Sequence, residues 1–439
     1  MRVTRNKLLA LTAALVLCVG ATLALKYVGL EAETAEEQAQ TYYLSAYASV
    51  DELMAVSIEN ASGEVVLIHF GDQNYAMPEN GLAPAGEAIT ALFNRTFQLP
   101  LKGFLDGASA SDPQFGLTEP SAVVTLQDVH DGGLVFYLGN ATPEGDGCYA
   151  CLSGDQRVFV MDRDYAEGFL VDVSAYYDMT LVAAEALTAV ELWRGGESVF
   201  ALEQKAAVTA GGTAQYVLTE PFRLPVGREQ AENALLDPLK TLAGIRMVGS
   251  GLADEACGIT AESPRVFLRY TDGSSDCLKV GSETEQGTLV TAEHSSMTFL
   301  VPSTALAFVR AEAAEIVGST LLQLNINQLS GVTLNGEVYR LTGDNTTLQV
   351  TDNGAPMELA QFQEQVLNPL NGISLYGPYD GTAAGRLLLT AELETRFDET
   401  LMELRFYETD GRSCIVAVDG EMVFLCGRAA VETLARAAG

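Results

Sequence analysis

Gly116–Gly139 reads GLTEPSAVVTLQDVHDGGLVFYLG and Gly258–Gly281 reads GITAESPRVFLRYTDGSSDCLKVG; the two align over twenty-four residues without a gap. Each opens on glycine, an aliphatic residue (Leu117 or Ile259) and threonine, carries a proline nearby (Pro120 or Pro264), and closes an apolar strand-like run on glycine (Gly139 or Gly281). Self-similarity of this length marks an internal repeat, each copy being one supersecondary unit. Those eight residues are assigned a structural role.

A third copy is read in Phe406–Gly420 (FYETDGRSCIVAVDG), which parallels the stretch from Leu268 and sets Cys414 opposite Cys277. Two more markers keep the same order: LLDPL at 235–239 with VLNPL at 366–370, and MTFL at 297–300 with MVFL at 422–425, matched by RVFV at 157–160 in the first copy. Without the glycine and proline opening, the third copy reads as a degenerate terminal repeat. Within a copy, alternating runs such as VSIEN at 56–60 and VELW at 190–193 predict half-buried strands. A helix is expected over Arg228–Leu242, with Ala231, Leu235, Leu239 and Leu242 on one face, and Pro238 should kink or end it. Asp-Gly pairs mark tight hairpins, and short helices at 303–310 and 428–438 close their modules. The expected fold class is α+β, with tandem repeated modules of antiparallel sheet, one long and one short helix each, at 50–182, 183–320 and 321–439, preceded by a single transmembrane helix.

A chain of 439 residues with 48% apolar and 19% charged residues can bury several cores. Its net charge of −33 makes nucleic acid an unsuitable partner, since phosphate binding relies on clustered Lys and Arg. Divalent cations would need carboxylates at ligand spacing, and none are read. Seven cysteines in so long a chain do not make a disulfide scaffold; buried thiols are the simplest account.

Arg2, Arg5 and Lys7 precede an uncharged run, Leu8–Leu25, closed by Lys26. Eighteen apolar residues nearly span a bilayer core of about 30 Å, and positive charge before them favours an N-inside orientation. Residues 1–7 are then cytoplasmic, 8–25 a transmembrane anchor, 26–49 a polar stalk, and the bulk of the chain extracytoplasmic at the cell membrane. A cleaved signal peptide, allowed by Ala21 and Ala24, remains an alternative; a lipoprotein signal ending at Cys18 is disfavoured by Leu17 before it.

Chemistry-bearing residues are few. His69, His130 and His294 have no second histidine at a ligand spacing, and a structural or surface role is expected for each. Cys148 and Cys151 form a C-x-x-C thiol pair, but the turn before them and the strand-like run after them place the two on opposite faces of a strand. Extending the repeat alignment puts Val290 and Glu293 at those positions. Cys414 and Cys426 face one another only if the Asp419-Gly420 loop holds three residues. No phosphate loop, nucleophile elbow or dinucleotide fingerprint occurs. No catalytic, cofactor-binding or metal residue is assigned.

The chain resembles the bacterial domain-of-unknown-function family 4340. The resemblance rests on Ile58-Glu-Asn with Gly63, a following helix, Phe115-Gly-Leu-Thr-Glu-Pro, the Leu138-Gly-Asn-Ala-Thr-Pro-Glu-Gly segment leading to Tyr149, and Val158-Phe-Val. Gly258-Ile-Thr, Pro264 and Val280-Gly-Ser-Glu-Thr carry it into the second copy. Members of that family have an N-terminal membrane segment, and some are encoded beside ABC-type export or gliding-associated transport systems. The resemblance implies an extracytoplasmic accessory role and brings no catalytic residues. The expected function is a non-enzymatic membrane-anchored scaffold contacting an envelope protein such as an export permease. An envelope hydrolase using carboxylates and a metal ion, and a solute or cell-wall glycan binder, are the rivals.

Overall fold

The computed structural model describes residues 42–70, 73–76, 82–130, 132–205, 215–343, 346–382, 384–397, 401–409 and 411–438. The run Leu8–Leu25, Cys18 and most of the stalk lie outside them. Among the described residues no helix is long and apolar enough to cross a membrane.

Strand alternation builds three sheets; Ala122, Val124 and Leu126, for example, are buried while Val123 and Thr125 are half-buried. The first sheet holds β1 (Tyr42–Ala46), β2 (Leu53–Asn60), β3 (Gly63–Phe70), β4 (Gln73–Ala76), β5 (Gln98–Phe104), β6 (Ala122–Asp128), β7 (Gly133–Ala141), β8 (Gly147–Leu152) and β9 (Phe159–Asp162). The second holds β10 (Leu187–Arg194), β11 (Glu197–Lys205), β12 (Gln215–Glu220), β13 (Leu224–Val226), β14 (Arg246–Ser250), β15 (Arg265–Tyr270), β16 (Ser275–Thr284), β17 (Gly287–Ala292) and β18 (Met297–Val301). The third holds β19 (Leu329–Leu334), β20 (Glu337–Thr342), β21 (Gln349–Asp352), β22 (Ala355–Met357), β23 (Leu375–Pro378), β24 (Leu387–Thr395), β25 (Met402–Glu408), β26 (Ser413–Val418) and β27 (Glu421–Gly427).

The second sheet runs β13-β12-β11-β10-β15-β16-β17-β18-β14 and the third β22-β21-β20-β19-β24-β25-β26-β27-β23, position for position the same. The first runs β1-β5-β9-β8-β7-β6-β2-β3-β4, the same order with β1 added beyond β5 and, among the described residues, no strand beyond β4. The chain is thus mostly β, three antiparallel nine-stranded sheets with few helices. The first sheet lies in a compact unit ending at Tyr176; the second and third share one that continues from Tyr177.

A long helix precedes the corresponding strand of each sheet, β5, β14 or β23. Helix α1 (Gly86–Thr96) buries Ile89, Leu92 and Phe93 and leads to β5 after the short helix-free step of Phe97. The next two do not break at their prolines. The Arg228–Leu242 helix has an α turn (Arg228–Ala231), a π turn (Glu232–Leu236) and an α turn (Asp237–Lys240), in which the Asp237 N–H donates to Glu232 O. Leu359–Phe362, Gln363–Leu367 and Asn368–Asn371 repeat that pattern around Pro369. A π turn loosens the helix just ahead of a ring that would otherwise collide with the carbonyl four residues back, so the chain continues where a kink or stop was expected.

From that strand the chain must return to the middle of the sheet, and in the first two sheets the twenty-four-residue motif makes that return. Gly116 and Gly258 follow short 3₁₀ turns with φ of 67° and 68°, a left-handed conformation suited to glycine. Gly139 and Gly281 lie against that turn: a Cβ on Gly139 would meet Phe115 O at 2.0 Å, and on Gly281 would meet Cys257 O at 2.2 Å. Leu117 and Ile259 are buried beside the clamp, whereas Pro120 and Pro264 are half-buried at the entry to β6 and β15. The third return, residues 379–386, is shorter than 105–121 or 251–264, and its close approach lies on the return itself, where a Cβ on Gly385 would meet Glu408 O at 2.0 Å.

The structure moves the third-copy alignment by one strand. Ser153 N–H donates to Val135 O, Glu293 N–H to Cys277 O and Asp419 N–H to Glu403 O, at 2.9, 3.1 and 2.8 Å, each joining the turn of the last hairpin to the strand just before that hairpin. Cys277 therefore corresponds to Val135 and Glu403. Cys414, five residues before Asp419, corresponds to Thr288 and Cys148, five before Glu293 and Ser153. The match of Cys414 to Cys277 failed because neighbouring hairpins share Thr-Asp-Gly turn chemistry. By the same hydrogen bonds, Cys148 and Cys151 correspond to Thr288 and Thr291, not Val290 and Glu293.

The clamp gives a stability test. Gly281→Ala should cost about 3 kcal/mol, since the methyl group must displace a backbone carbonyl. Gly86→Ala, with nothing within 4 Å of its added methyl, should gain about 0.5 kcal/mol. Urea unfolding midpoints of the two variants would separate the effects, and equal midpoints would contradict the clamp.

Candidate functional site

The last hairpin of the second sheet carries a side-chain pair that the other two sheets lack. Asp276 begins the inner part of β16 and His294 sits in the β17–β18 turn; His294 Nδ1 lies 2.6 Å from Asp276 Oδ2. Asp276 Oδ1 accepts from the backbone N–H of His294 at 2.9 Å and of Cys277 at 2.8 Å. The carboxylate side chain is 1% exposed and the imidazole 48%. By the hydrogen-bond correspondence, one residue before Val135 and one after Ser153 stand Leu134 and Gly154, and in the third sheet Met402 and Gly420. The fold makes this turn without any acid or imidazole, so the pair is an addition to the module.

Burial pushes the Asp276 carboxyl up, but hydrogen bonds from His294, its backbone and Cys277 outweigh that and hold it below the usual carboxylate range. His294 is raised above its ordinary value by the Asp276 hydrogen bond, against a smaller lowering from burial. With Nδ1 engaged by the acid, the neutral imidazole carries its proton there and presents Nε2 as an acceptor. That arrangement orients a proton-transfer group or a pH-responsive cation.

The pair borders a cleft of about 460 Å³ lined by Leu181, Val182, Tyr270, Asp272 and Ser274. Burial, then the Asp276 charge, pushes the Tyr270 hydroxyl up to about 12. Ser274 Oγ donates to Asp272 Oδ1 at 2.6 Å, so that hydroxyl serves its own turn. On the other face of β16, Cys277 lies under a second cleft of about 440 Å³ rimmed by Glu191, Glu203 and Glu293. Burial, and then Glu293, pushes that thiol up to about 11, far from a thiolate nucleophile. A larger cleft of about 530 Å³ in the first unit is walled by Leu92, Leu170 and Val171 with Arg95 and Glu167 at its rim, and is mainly apolar. Among the described residues no three His, Cys, Asp or Glu side chains converge as a metal site.

Of the residues singled out in the sequence, the eight repeat-motif positions gather at the return clamps, away from these clefts. Cys148 and Cys151 lie on the regular strand β8, on opposite faces: Cys151 joins Phe115, Leu117 and Val158 in a buried cluster, and Cys148 does not. Burial raises both thiols, most strongly among their causes. Cys414 and Cys426 are directly opposed although the Asp419-Gly420 loop has two residues, because a bulge at Val423 shifts the register by one. Both are buried thiols, and burial followed by the neighbouring Cys414 pushes Cys426 up to about 12. His69 packs its ring on Phe93 with centroids 5.3 Å apart, and His130 is exposed in a turn. Asp276 was missed in the sequence, although the ungapped alignment sets it against Leu134.

The sign of the pH effect follows from the two shifts. The His294 contribution is present below its unfolded value and lost as pH rises through its raised folded value; the Asp276 contribution is present above its unfolded value and lost as pH falls through its lowered folded value. Because the imidazole is half exposed, the contribution should stay below about 1 kcal/mol. In Asp276→Asn, His294 should titrate lower than in the parent, read by NMR of its ring protons, and the loss of stability on raising pH should shrink. An unchanged His294 titration would rule the pairing out.

Comparison with known proteins adds one relation. No curated protein and no solved structure matches the chain. The chain's residues 85–256, from the start of α1 to the 3₁₀ turn before Gly258, match the model of a family described as a domain of unknown function (DUF4340), the family that the sequence resembles.

Proposed function

We propose that the protein is a membrane-anchored, extracytoplasmic scaffold whose repeated sheets contact another envelope protein, an ABC-type export component being the partner class. The carrying observation is the repetition of one strand order in three sheets, which multiplies exposed faces and edges. The basic residues before the apolar run Leu8–Leu25 support an N-inside anchor. The acidity of the chain keeps such an array soluble and suits a partner with basic patches.

A second reading, an envelope hydrolase working through carboxylates, is favoured by the oriented His294 on buried Asp276. It would need a nucleophile or activated water in the adjoining cleft, and loss of a phenotype in His294→Asn at unchanged protein level would favour it.

External protease added to cells stripped of their outer layers should degrade the sheets and leave a short protected piece containing the anchor. Crosslinking before gentle solubilisation should retain a defined membrane protein. Full protection of the sheets would place the chain inside the cell and end the scaffold reading.

A further inference from the structure

The cleft beside Asp276 and His294 has walls that are tied in place. Leu181 N–H donates to Leu242 O at 3.0 Å and Thr271 N–H to Ala186 O at 2.8 Å, which holds the segment 181–186 at both ends. That segment supplies Leu181, Val182 and Ala186 to the cleft of about 460 Å³, and the hairpins beside it supply Tyr270, Asp276 and His294.

The polar atoms that face the cleft are mainly acceptors. His294 Nδ1 is engaged by Asp276 Oδ2 at 2.6 Å, so the neutral imidazole offers Nε2. Asp178 and Asp272, both exposed at the cleft, use Oδ1 for their own turns. Asp178 accepts there from Thr180 N–H at 3.0 Å, and Asp272 from Ser274 N–H at 2.8 Å and Ser274 Oγ at 2.6 Å. Their Oδ2 atoms take no hydrogen bond among the described residues, and no described Lys or Arg lines the cleft. An anion would meet these carboxylates, and a wholly apolar molecule would cover Nε2 without giving it a donor.

We propose that this cleft binds a primary ammonium group on an aliphatic stem, the stem lying along Leu181, Val182 and Ala186 and the ammonium donating to His294 Nε2 between the Asp178 and Asp272 charges. Such a group arrives either as a free alkylamine or as the lysine side chain of a protein segment. The site goes beyond the envelope-contact reading and does not rest on it. Protonation of His294 replaces the acceptor with a donor of like charge, so binding is lost as pH falls through the His294 value, which Asp276 raises above the ordinary one. The titratable groups around that imidazole are Asp276 from β16, Tyr270 from β15, Asp272 from the turn between them and Asp178 from the segment opposite, with Glu293 next to it in its own turn.

The test uses the full chain with isotope-labelled histidine, whose three ring signals give His294 alongside His69 and His130 as controls. Added n-butylamine should move the His294 signal alone and lower its titration midpoint, whereas n-butanol should do neither. The apparent affinity for n-butylamine should fall about tenfold for each pH unit below the His294 midpoint, following the neutral fraction. Asp272→Asn keeps the turn acceptor and removes the charge, and should weaken n-butylamine up to about fivefold. Tighter binding of acetyl-Gly-Lys-Gly-amide than of n-butylamine would identify a protein lysine as the source, and the reverse a free amine. Equal shifts with n-butanol, equal shifts at His69 and His130, or no shift with either amine would overturn the site, and each would leave the envelope-contact reading standing.

Discussion

A backbone carbonyl occupies the space of a missing side chain at Gly139 and again at Gly281, and the return across the first two sheets is seated on that contact. The strand after the long helix is remote from the strand that follows it in sequence, which lies beside β2 or β10 in the middle of the sheet. A return of this kind has to be held against the sheet, or its backbone polar groups would be stranded over apolar side chains. Glycine on the strand lets the return approach within touching distance, and the left-handed glycine turns it. The buried cluster of Ala110, Phe115, Leu117, Cys151 and Val158 then forms beneath the return, giving the first sheet apolar burial on the face away from its helices.

Those glycines are why the repeat could be read from sequence at all. A position that tolerates no side chain tolerates no substitution, so Gly116, Gly139, Gly258 and Gly281 stay in register while the strands between them drift from VVTLQD to RVFLRY. The third copy was harder for a related reason: its close-approach glycine, Gly385, lies on the short return and not on the strand, and its hairpins offer only turn residues, which recur at every hairpin. Strand alternation, hairpin turns and the long amphipathic helix were legible because each depends on local periodicity. The bulge at Val423, the π turns before Pro238 and Pro369, and the bulges at Lys102, Val248 and Tyr376 were not, since each is set by how a strand or helix is packed and leaves no fixed residue type behind.

The thiols illustrate the difference between a motif and a site. C-x-x-C at 148–151 has the spacing of a redox pair, yet on a strand that spacing sends the two sulfurs to opposite faces. Cys148 is better understood through its counterparts Thr288 and Cys414, small side chains that fill one buried slot between hairpin strands. Raised thiol pKa values at Cys148 and Cys426 follow from that burial, and a thiol held protonated is a packing group.

Asp276 and His294 stand apart because the molecule supplies its own controls. Leu134 with Gly154, and Met402 with Gly420, occupy the same places in hairpins closed by the same backbone hydrogen bond, so neither charge is needed to fold the turn. Burying a carboxylate is costly unless its oxygens are satisfied, and three hydrogen bonds are committed to doing so here. An apolar residue would have filled the position without that requirement, as it does in the neighbouring copies. The second module thus departs from its siblings toward the more demanding arrangement, and does so beside a cleft that Asp276 and His294 both line.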